Sequence, residues 1–290
     1  MRPTVEQLKK YLGIPKPCVI CNSKKFETWA KLDYLEAKKC VDCGMISVNP
    51  HLNEEGLSLY YSGYLADRLD EKILSEQRKK THELDRNWIS HFIGSGKVLD
   101  VGCGGGQFLA KFDPKKWERS GVEIEKAAAE YAKRKYGIPV RVGYLPRLQF
   151  SEKFDLIMMR GVIEHLSNPI EVLKKCSELL KGGRYLFITA TPAGNSFAFY
   201  IYREKWHLFT PLAHLHFFTV DLLSRKLAEL GLSLVDHRYQ YEETPYANPQ
   251  EDYAKIKNDI VLSYLGKRDQ ITSSPPFPGS MLTAVWKKEK

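Results

Sequence analysis

The sequence predicts an α/β fold, a doubly wound sheet preceded by a small four-cysteine module. Three observations carry that reading. From Lys97 onward, short apolar runs alternate with glycines and amphipathic segments, the signature of βα repeats. The first of these runs empties into a glycine-rich turn, VLDVGCGGGQ at 98–107. Two Cys-x2-Cys pairs, Cys18/Cys21 and Cys40/Cys43, fall within the first 50 residues. A chain of 290 residues has room for one catalytic domain of ordinary size and something small beside it. Its 43% apolar and 27% charged residues exclude a fibrous, low-complexity or wholly disordered chain. The net charge of +9 is compatible with an anionic partner, but part of it comes from the lysines of the last four residues.

Taken in order, residues 1–50 form the cysteine module, ending at Asn49-Pro50. Residues 51–92 read as a helical connector and cofactor lid, with Leu65, Leu69, Ile73, Leu84, Trp88 and Phe92 at helical spacings. Residues 93–290 form the body. Its expected strands are KVLDVG (97–102), which leads through the glycine turn into a helix, then GVEI (121–124), VRVG (140–143), FDLIMMR (154–160), RYLFITA (184–190) and LSLVDH (232–237). MLTAVWK (281–287) is expected to close the sheet as an edge strand. Asn168 should cap a helix that has Pro169 at its first position and stops at Gly182-Gly183, and Thr219 should cap a second that ends at Gly231. Residues 192–218, rich in aromatics and histidine, and residues 238–279 read as cap insertions over the sheet.

Glycines at 102, 104 and 106 let the backbone turn sharply and approach a bulky ligand. The spacing fails the G-x-G-x-x-G dinucleotide pattern, because Gln107 or Leu109 stands where the third glycine belongs. Glu123 ends the next strand, where an acid can accept hydrogen bonds from both ribose hydroxyls. Together these residues define an adenosine-type pocket.

These segments, with FDLIMMRGVIEHLSNPIEVLKKCSELLKGGRYLFITAT (154–191) and HLHFFTVDLLSRKLAELG (214–231), resemble class I S-adenosylmethionine-dependent methyltransferases. The resemblance is to the branch similar to ubiquinone-biosynthesis O-methyltransferases and to methyltransferases of sugars and polyketides. It implies a Rossmann-like methyltransferase sheet. It assigns Asp100, Gly102, Gly104 and Gly106 to the methionine and sugar side of the cofactor, and Glu123 with Ile124 to its ribose. Tyr144 and Leu145 would flank the adenine, and Arg160 would line the methionine end. Many relatives carry an acid where this chain has Tyr144, so stacking or a backbone contact would replace that hydrogen bond. One of Tyr60, Tyr61 and Tyr64 would touch the cofactor or simply pack in the helical zone.

Methyl transfer from a sulfonium is a direct displacement, so the protein aligns the acceptor and often removes its proton. His165 and His214 are the candidate bases, and Glu164 could orient or polarise an acceptor. His165 could equally bond loop backbone. His207 and His216 read as packing residues. The segment 197–209 reads either as a helix packed on the body or as a substrate lid.

The two cysteine pairs are separated by 18 intervening residues, the spacing of a zinc-ribbon-like module in which Cys18, Cys21, Cys40 and Cys43 hold a tetrahedral zinc. A rubredoxin-like iron centre would use the same ligands. Four sulfur ligands leave no open position for hydrolysis. Cys176 should be core. Lysines in the module are interleaved with acids, so no phosphate-binding stripe is apparent. Similar Cys-pair modules ending in an NP segment precede methyltransferase bodies that resemble enzymes of deoxysugars or cell-surface glycans. The expected acceptor is therefore a sugar, glycan or other small metabolite. The alternatives are an RNA methyltransferase and a silent cofactor-binding protein. With no apolar leader and no stretch of 18 to 20 apolar residues, a cytoplasmic location without a membrane span is expected.

Overall fold

The computed structural model describes residues 3–61 and 72–290. In chain order, α1 (Val5–Lys9) leads to β1 (Phe26–Leu32), β2 (Leu35–Cys40) and β3 (Ile46–Val48), followed by α2 (Glu54–Tyr61) and α3 (Lys72–Ile89). The body then runs β4 (Gly96–Val101), β5 (Trp117–Glu123), α4 (Lys126–Tyr136), β6 (Val140–Val142), β7 (Phe154–Arg160), α5 (Pro169–Leu179) and β8 (Leu180–Pro192). It finishes with α6 (Phe197–Tyr202), β9 (His216–Phe217), α7 (Val220–Ala228), β10 (Leu232–Tyr239), α8 (Pro249–Tyr264) and β11 (Met281–Lys288). Leu65, Leu69 and Tyr64 lie outside the described residues. Among the described residues, no helix is long and apolar enough to cross a membrane.

Seven strands form the main sheet in the order β10-β11-β8-β7-β4-β5-β6, parallel from β8 to β6 and antiparallel at β11 and β10. Strand periodicity divides its side chains between two cores. Leu99, Ile157, Met159, Leu186, Ile188 and Trp286 face one core with α5 and α7, while Val98, Leu156, Met158, Phe187 and Val285 face the other with Trp88 and Ile89 of α3. Cys176 is fully buried in the first.

Four expectations are corrected. The run at 281–287 is not an edge strand, since β11 lies between β8 and β10. Its residues Leu282 to Trp286 are buried, whereas β10 is exposed from Ser233 to His237 and suits the edge. The glycine turn leads only into a single 3-10 turn, Leu109–Lys111, because Gly106 and Pro114 bracket too short a stretch for a helix. Gly182 and Gly183 lie inside β8, since α5 passes straight into it at Leu180. Asn168 holds the cap position of α5 but makes no side-chain cap bond; its amide donates to Glu171 Oε2 at 3.2 Å. Thr219 does cap α7, accepting from the Leu222 N–H at 3.2 Å.

The segment 192–218, expected to hold only caps and loops over the sheet, contains a strand. β9 pairs with β3, placing Ile46 opposite Phe217 and Ser47 opposite His216, to complete a second sheet in the order β1-β2-β3-β9. Phe199, Tyr202, Trp206 and Phe209 share one buried cluster with Trp29, Leu35, Ile46 and Val48, so the segment 197–209 packs on the cysteine module.

Candidate functional site

The site lies at the carboxyl ends of β4, β5 and β7, where a doubly wound sheet opens a crevice. Gly102, Gly104 and Gly106 have φ of 71°, 53° and 76°, in the left-handed region where L side chains are strained. Packing adds to that demand. A Cβ on Gly102 would stand 2.7 Å from Val162 Cγ2, and one on Gly106 would stand 2.9 Å from Ala132 Cβ. The loop is braced by Glu123, whose carboxylate accepts from the N–H groups of Gly104 (2.8 Å), Ile124 (2.8 Å) and Glu125 (3.0 Å). Ile124 is exposed beside this carboxylate and Leu145 is buried. Tyr144 turns its hydroxyl toward the start of α5, donating to Glu171 Oε2 at 3.2 Å and to the Asn168 carbonyl at 3.3 Å.

Asp100 is buried under the loop. Its carboxyl is held well above the usual range, first by burial and then by Glu123, against the pull of Arg160. Arg160 is anchored by α3: its Nε donates to Asp85 Oδ2 at 2.9 Å and its Nη2 to Thr81 Oγ1 at 3.0 Å. Three buried carboxyls, Asp85, Asp100 and Glu164, thus feel one guanidinium. Sequence reasoning missed Thr81 and Asp85. Their signal was a polar i, i+4 pair in the same helix as buried Trp88.

Glu164 and His165 lie in a 3-10 turn, Ile163–His165, directly after β7. The His165 Nδ1 is 2.9 Å from the Ala213 carbonyl and 2.9 Å from the Tyr61 hydroxyl. His214 Nδ1 is 2.7 Å from the Leu208 carbonyl and 3.0 Å from Thr210 Oγ1, and the two imidazoles lie 5.0 Å apart. A carbonyl can only accept, so each ring carries a proton on Nδ1, and in its neutral form the lone pair lies on Nε2. His165 Nε2 is 3.7 Å from Glu164 Oε1. Glu164, His165 and His214 each offer an atom within 4.8 Å of the others, a grouping that could also hold a divalent cation. The other two histidines of this region are pushed down by burial, His207 to about 4 and His216 to about 3, and are neutral near pH 7.

Burial pushes the Glu164 carboxyl up to about 8, against backbone N–H groups and the Thr191 hydroxyl. The folded chain therefore holds a proton there that the unfolded chain releases near 4.5. The resulting stability is fully present below pH 4.5 and is lost as pH rises through about 8. Glu164→Gln, which keeps the neutral shape, should flatten the fall in Tm between pH 5 and 8.5. Melting curves with the wild-type slope would refute this protonation state.

The cysteine knuckles repeat one geometry. Asn22 N–H donates to the Cys18 carbonyl and Gly44 N–H to the Cys40 carbonyl, each at 2.9 Å; Cys18 N–H donates to Ser23 and Cys40 N–H to Met45, each at 2.8 Å. Asn22 and Gly44 both take positive φ, 60° and 77°. Cys18 and Cys43 sulfurs are 3.5 Å apart, as are those of Cys21 and Cys40, and all four lie within 4.8 Å of one another. A tetrahedron with metal–sulfur bonds of about 2.3 Å has edges of about 3.8 Å, so the four thiols fit a zinc-sized ion.

A methyltransferase-domain family model matches residues 64–237, more than half of the chain, which therefore belongs to that family. Ubiquinone biosynthesis O-methyltransferase of Stutzerimonas stutzeri is 26% identical over 204 residues, covering 64% of this chain and 86% of the relative. That of Parvibaculum lavamentivorans is 28% identical over 180 residues, covering 58% and 69%. Among solved structures, the fold is shared with a magnesium protoporphyrin IX methyltransferase from Synechocystis (TM-score 0.55, 11% identity, 82% of this chain and 100% of that one). It is also shared with a SAM-dependent methyltransferase from Thermotoga maritima (TM-score 0.51, 18% identity, 78% and 100%). The chain is a class I S-adenosylmethionine-dependent methyltransferase with a four-cysteine cluster able to chelate a metal.

Proposed function

We propose that this enzyme methylates a hydroxyl of a sugar, glycan or other small metabolite, with His165 as the principal general base and His214 beside it. The observation that carries this reading is the pair of imidazoles whose backbone carbonyl partners leave Nε2 as the basic nitrogen, next to a buried Glu164. The O-methyltransferase relatives support oxygen as the acceptor atom. No nucleic-acid stripe is needed for such an acceptor, so RNA remains the less favoured substrate.

In this reading Glu123 and Ile124 hold the ribose of S-adenosylmethionine, the three glycines and Asp100 face its sugar and methionine, and Tyr144 with Leu145 flank the adenine. Bound there, the cofactor supplies an electrophilic methyl group. The protein's own part is to hold the acceptor in line, take its proton at His165 Nε2 and keep water out. Glu164, protonated near neutral pH, can donate a hydrogen bond to an acceptor oxygen. Arg160 stays with Asp85 and offsets the carboxyls near the methionine end.

Residues 1–50 are read as a zinc-ribbon-like module, 51–92 as connector and lid, and 93–290 as the catalytic domain with caps at 192–218 and 238–279. Zinc at Cys18, Cys21, Cys40 and Cys43 would be structural, since four thiolates fill its coordination. Reduced thiols at these positions favour a cytoplasmic setting.

The cofactor assignment is tested by Glu123→Ala. Removing the carboxylate takes away the ribose partner and the brace on the Gly104 N–H, so S-adenosylmethionine affinity should fall at least tenfold by calorimetry, about 1.4 kcal/mol. Unchanged affinity would reject the ribose role.

A further inference from the structure

Backbone hydrogen bonds on both sides of Leu215 link the cysteine module to the candidate chemistry. Cys40 ends β2 and Cys43 precedes β3, so the metal ligands pin the turn from which β3 departs. One edge of β3 pairs with β2, and its other edge carries β9 from the catalytic body. Just ahead of β9, Leu215 bonds in two directions: its carbonyl accepts from the Val48 N–H at 2.8 Å, and its N–H donates to the Glu164 carbonyl at 2.7 Å. Two residues earlier, the Ala213 carbonyl accepts the His165 Nδ1 proton at 2.9 Å. His214 lies between these two residues.

We propose that the metal-held module is a positioning element of the active site: β3, through Val48 and Leu215, fixes the strand that sets the place of Glu164, His165 and His214. The module thereby acts as a wall of the catalytic centre. Apolar packing supports the same path, because Ile46 and Val48 are buried with Phe217, Trp206 and Phe209. The cofactor edge is built differently. Glu123 and the glycine loop brace each other by hydrogen bonds at the ends of β4 and β5, and the module reaches that side through apolar packing, with Cys18, Cys40 and Met45 in one cluster with Val101 and Leu145. Loss of the metal should therefore loosen the base while sparing the cofactor pocket. Val48 and Leu215 are positioning residues, and the mechanism is hydrogen-bonded geometry passed through a short β-ladder.

The proposal rests on the reading of His165 and His214 only for its turnover consequence; the exchange readout is independent of it. Full-length protein is compared with zinc bound, verified by mass spectrometry, and after stripping with a chelator. Amide hydrogen exchange is followed in segments 44–50, 163–166, 213–218 and 98–107. On stripping, exchange should rise at least tenfold at 163–166 and 213–218, with 98–107 unchanged and S-adenosylmethionine affinity within twofold. Unchanged exchange at 163–166 and 213–218 overturns the coupling, and so does equal loosening of 98–107, which would mean general unfolding.

Because stripping can melt the module itself, Val48→Pro provides a second route. It deletes the N–H given to Leu215 without touching a sulfur. The variant should keep one zinc and its cofactor affinity, show faster exchange at 163–166, and turn over at least tenfold more slowly. A zinc-loaded variant with wild-type exchange at 163–166 refutes the proposal. If exchange rises as expected but turnover does not fall, the coupling stands and the base reading is what fails.

Discussion

His165→Ala is expected to lower methyl transfer by about 10²- to 10⁴-fold and to leave S-adenosylmethionine affinity within twofold. That range is the ordinary worth of a positioned general base. The size of the effect follows from how the ring is held. Its Nδ1 proton is committed to the Ala213 carbonyl and its ring meets Tyr61 edge-on with centroids 6.0 Å apart, so the proposed base is oriented before any acceptor arrives. His214 lies 5.0 Å away, ring to ring, and can take over part of the proton transfer, so the single replacement should fall short of the His165→Ala, His214→Ala double replacement. Single-turnover rates with saturating cofactor are the appropriate measurement, because they isolate the chemical step from product release. Equal single-turnover rates for wild type and His165→Ala would remove this residue from the base role.

How much of this was legible in the sequence depends on the range of the interaction. Local chemistry read well. Phe154–Arg160 forms a strand over the expected residues because its apolar run is buried on both faces of the sheet. Thr219 caps its helix, and the second knuckle needs the positive φ that Gly44 supplies. Asn22 plays the same part in the first knuckle, although a side chain there concealed the equivalence. What was not legible is long-range pairing. A two-residue strand such as His216–Phe217 carries no periodicity of its own, and its partner Ile46–Val48 lies far away in the chain. The place of β11 was hidden for a similar reason. The run at 281–287 looks the same at an edge or one strand in, and only the exposure of its neighbour β10 decides between them.

The anchor of Arg160 shows the same limit most clearly, and it leads to the largest expected loss of stability. Asp85 is almost wholly buried, with Arg160 Nε at 2.9 Å from one carboxylate oxygen and Arg238 Nη2 at 3.9 Å from the other. Burial pushes the Asp85 carboxyl up, against the pull of Arg160, Thr189 and Arg238. The net worth of such a pair relative to apolar residues is small, since desolvation offsets attraction. Breaking it is another matter. Asp85→Ala strands the Arg160 guanidinium, which is mostly shielded from solvent, and leaves Arg238 stacked on Trp88 at 4.7 Å without its carboxylate. The expected cost is about 3–5 kcal/mol, which for a chain of this size lowers Tm by roughly 5–8 °C. Asp85→Asn retains an acceptor oxygen for Arg160 and should cost less. There is a functional consequence as well. Released from Asp85, Arg160 can turn toward Asp100 and Glu164, the two other buried carboxyls on which it already pulls. Cofactor affinity should then fall with Asp85→Ala although Asp85 is placed on neither ribose nor adenine. Thermal melts and calorimetry on the same preparations separate the two effects. An Asp85→Ala variant that melts within 2 °C of wild type would mean that the ion pair is not the anchor its geometry implies.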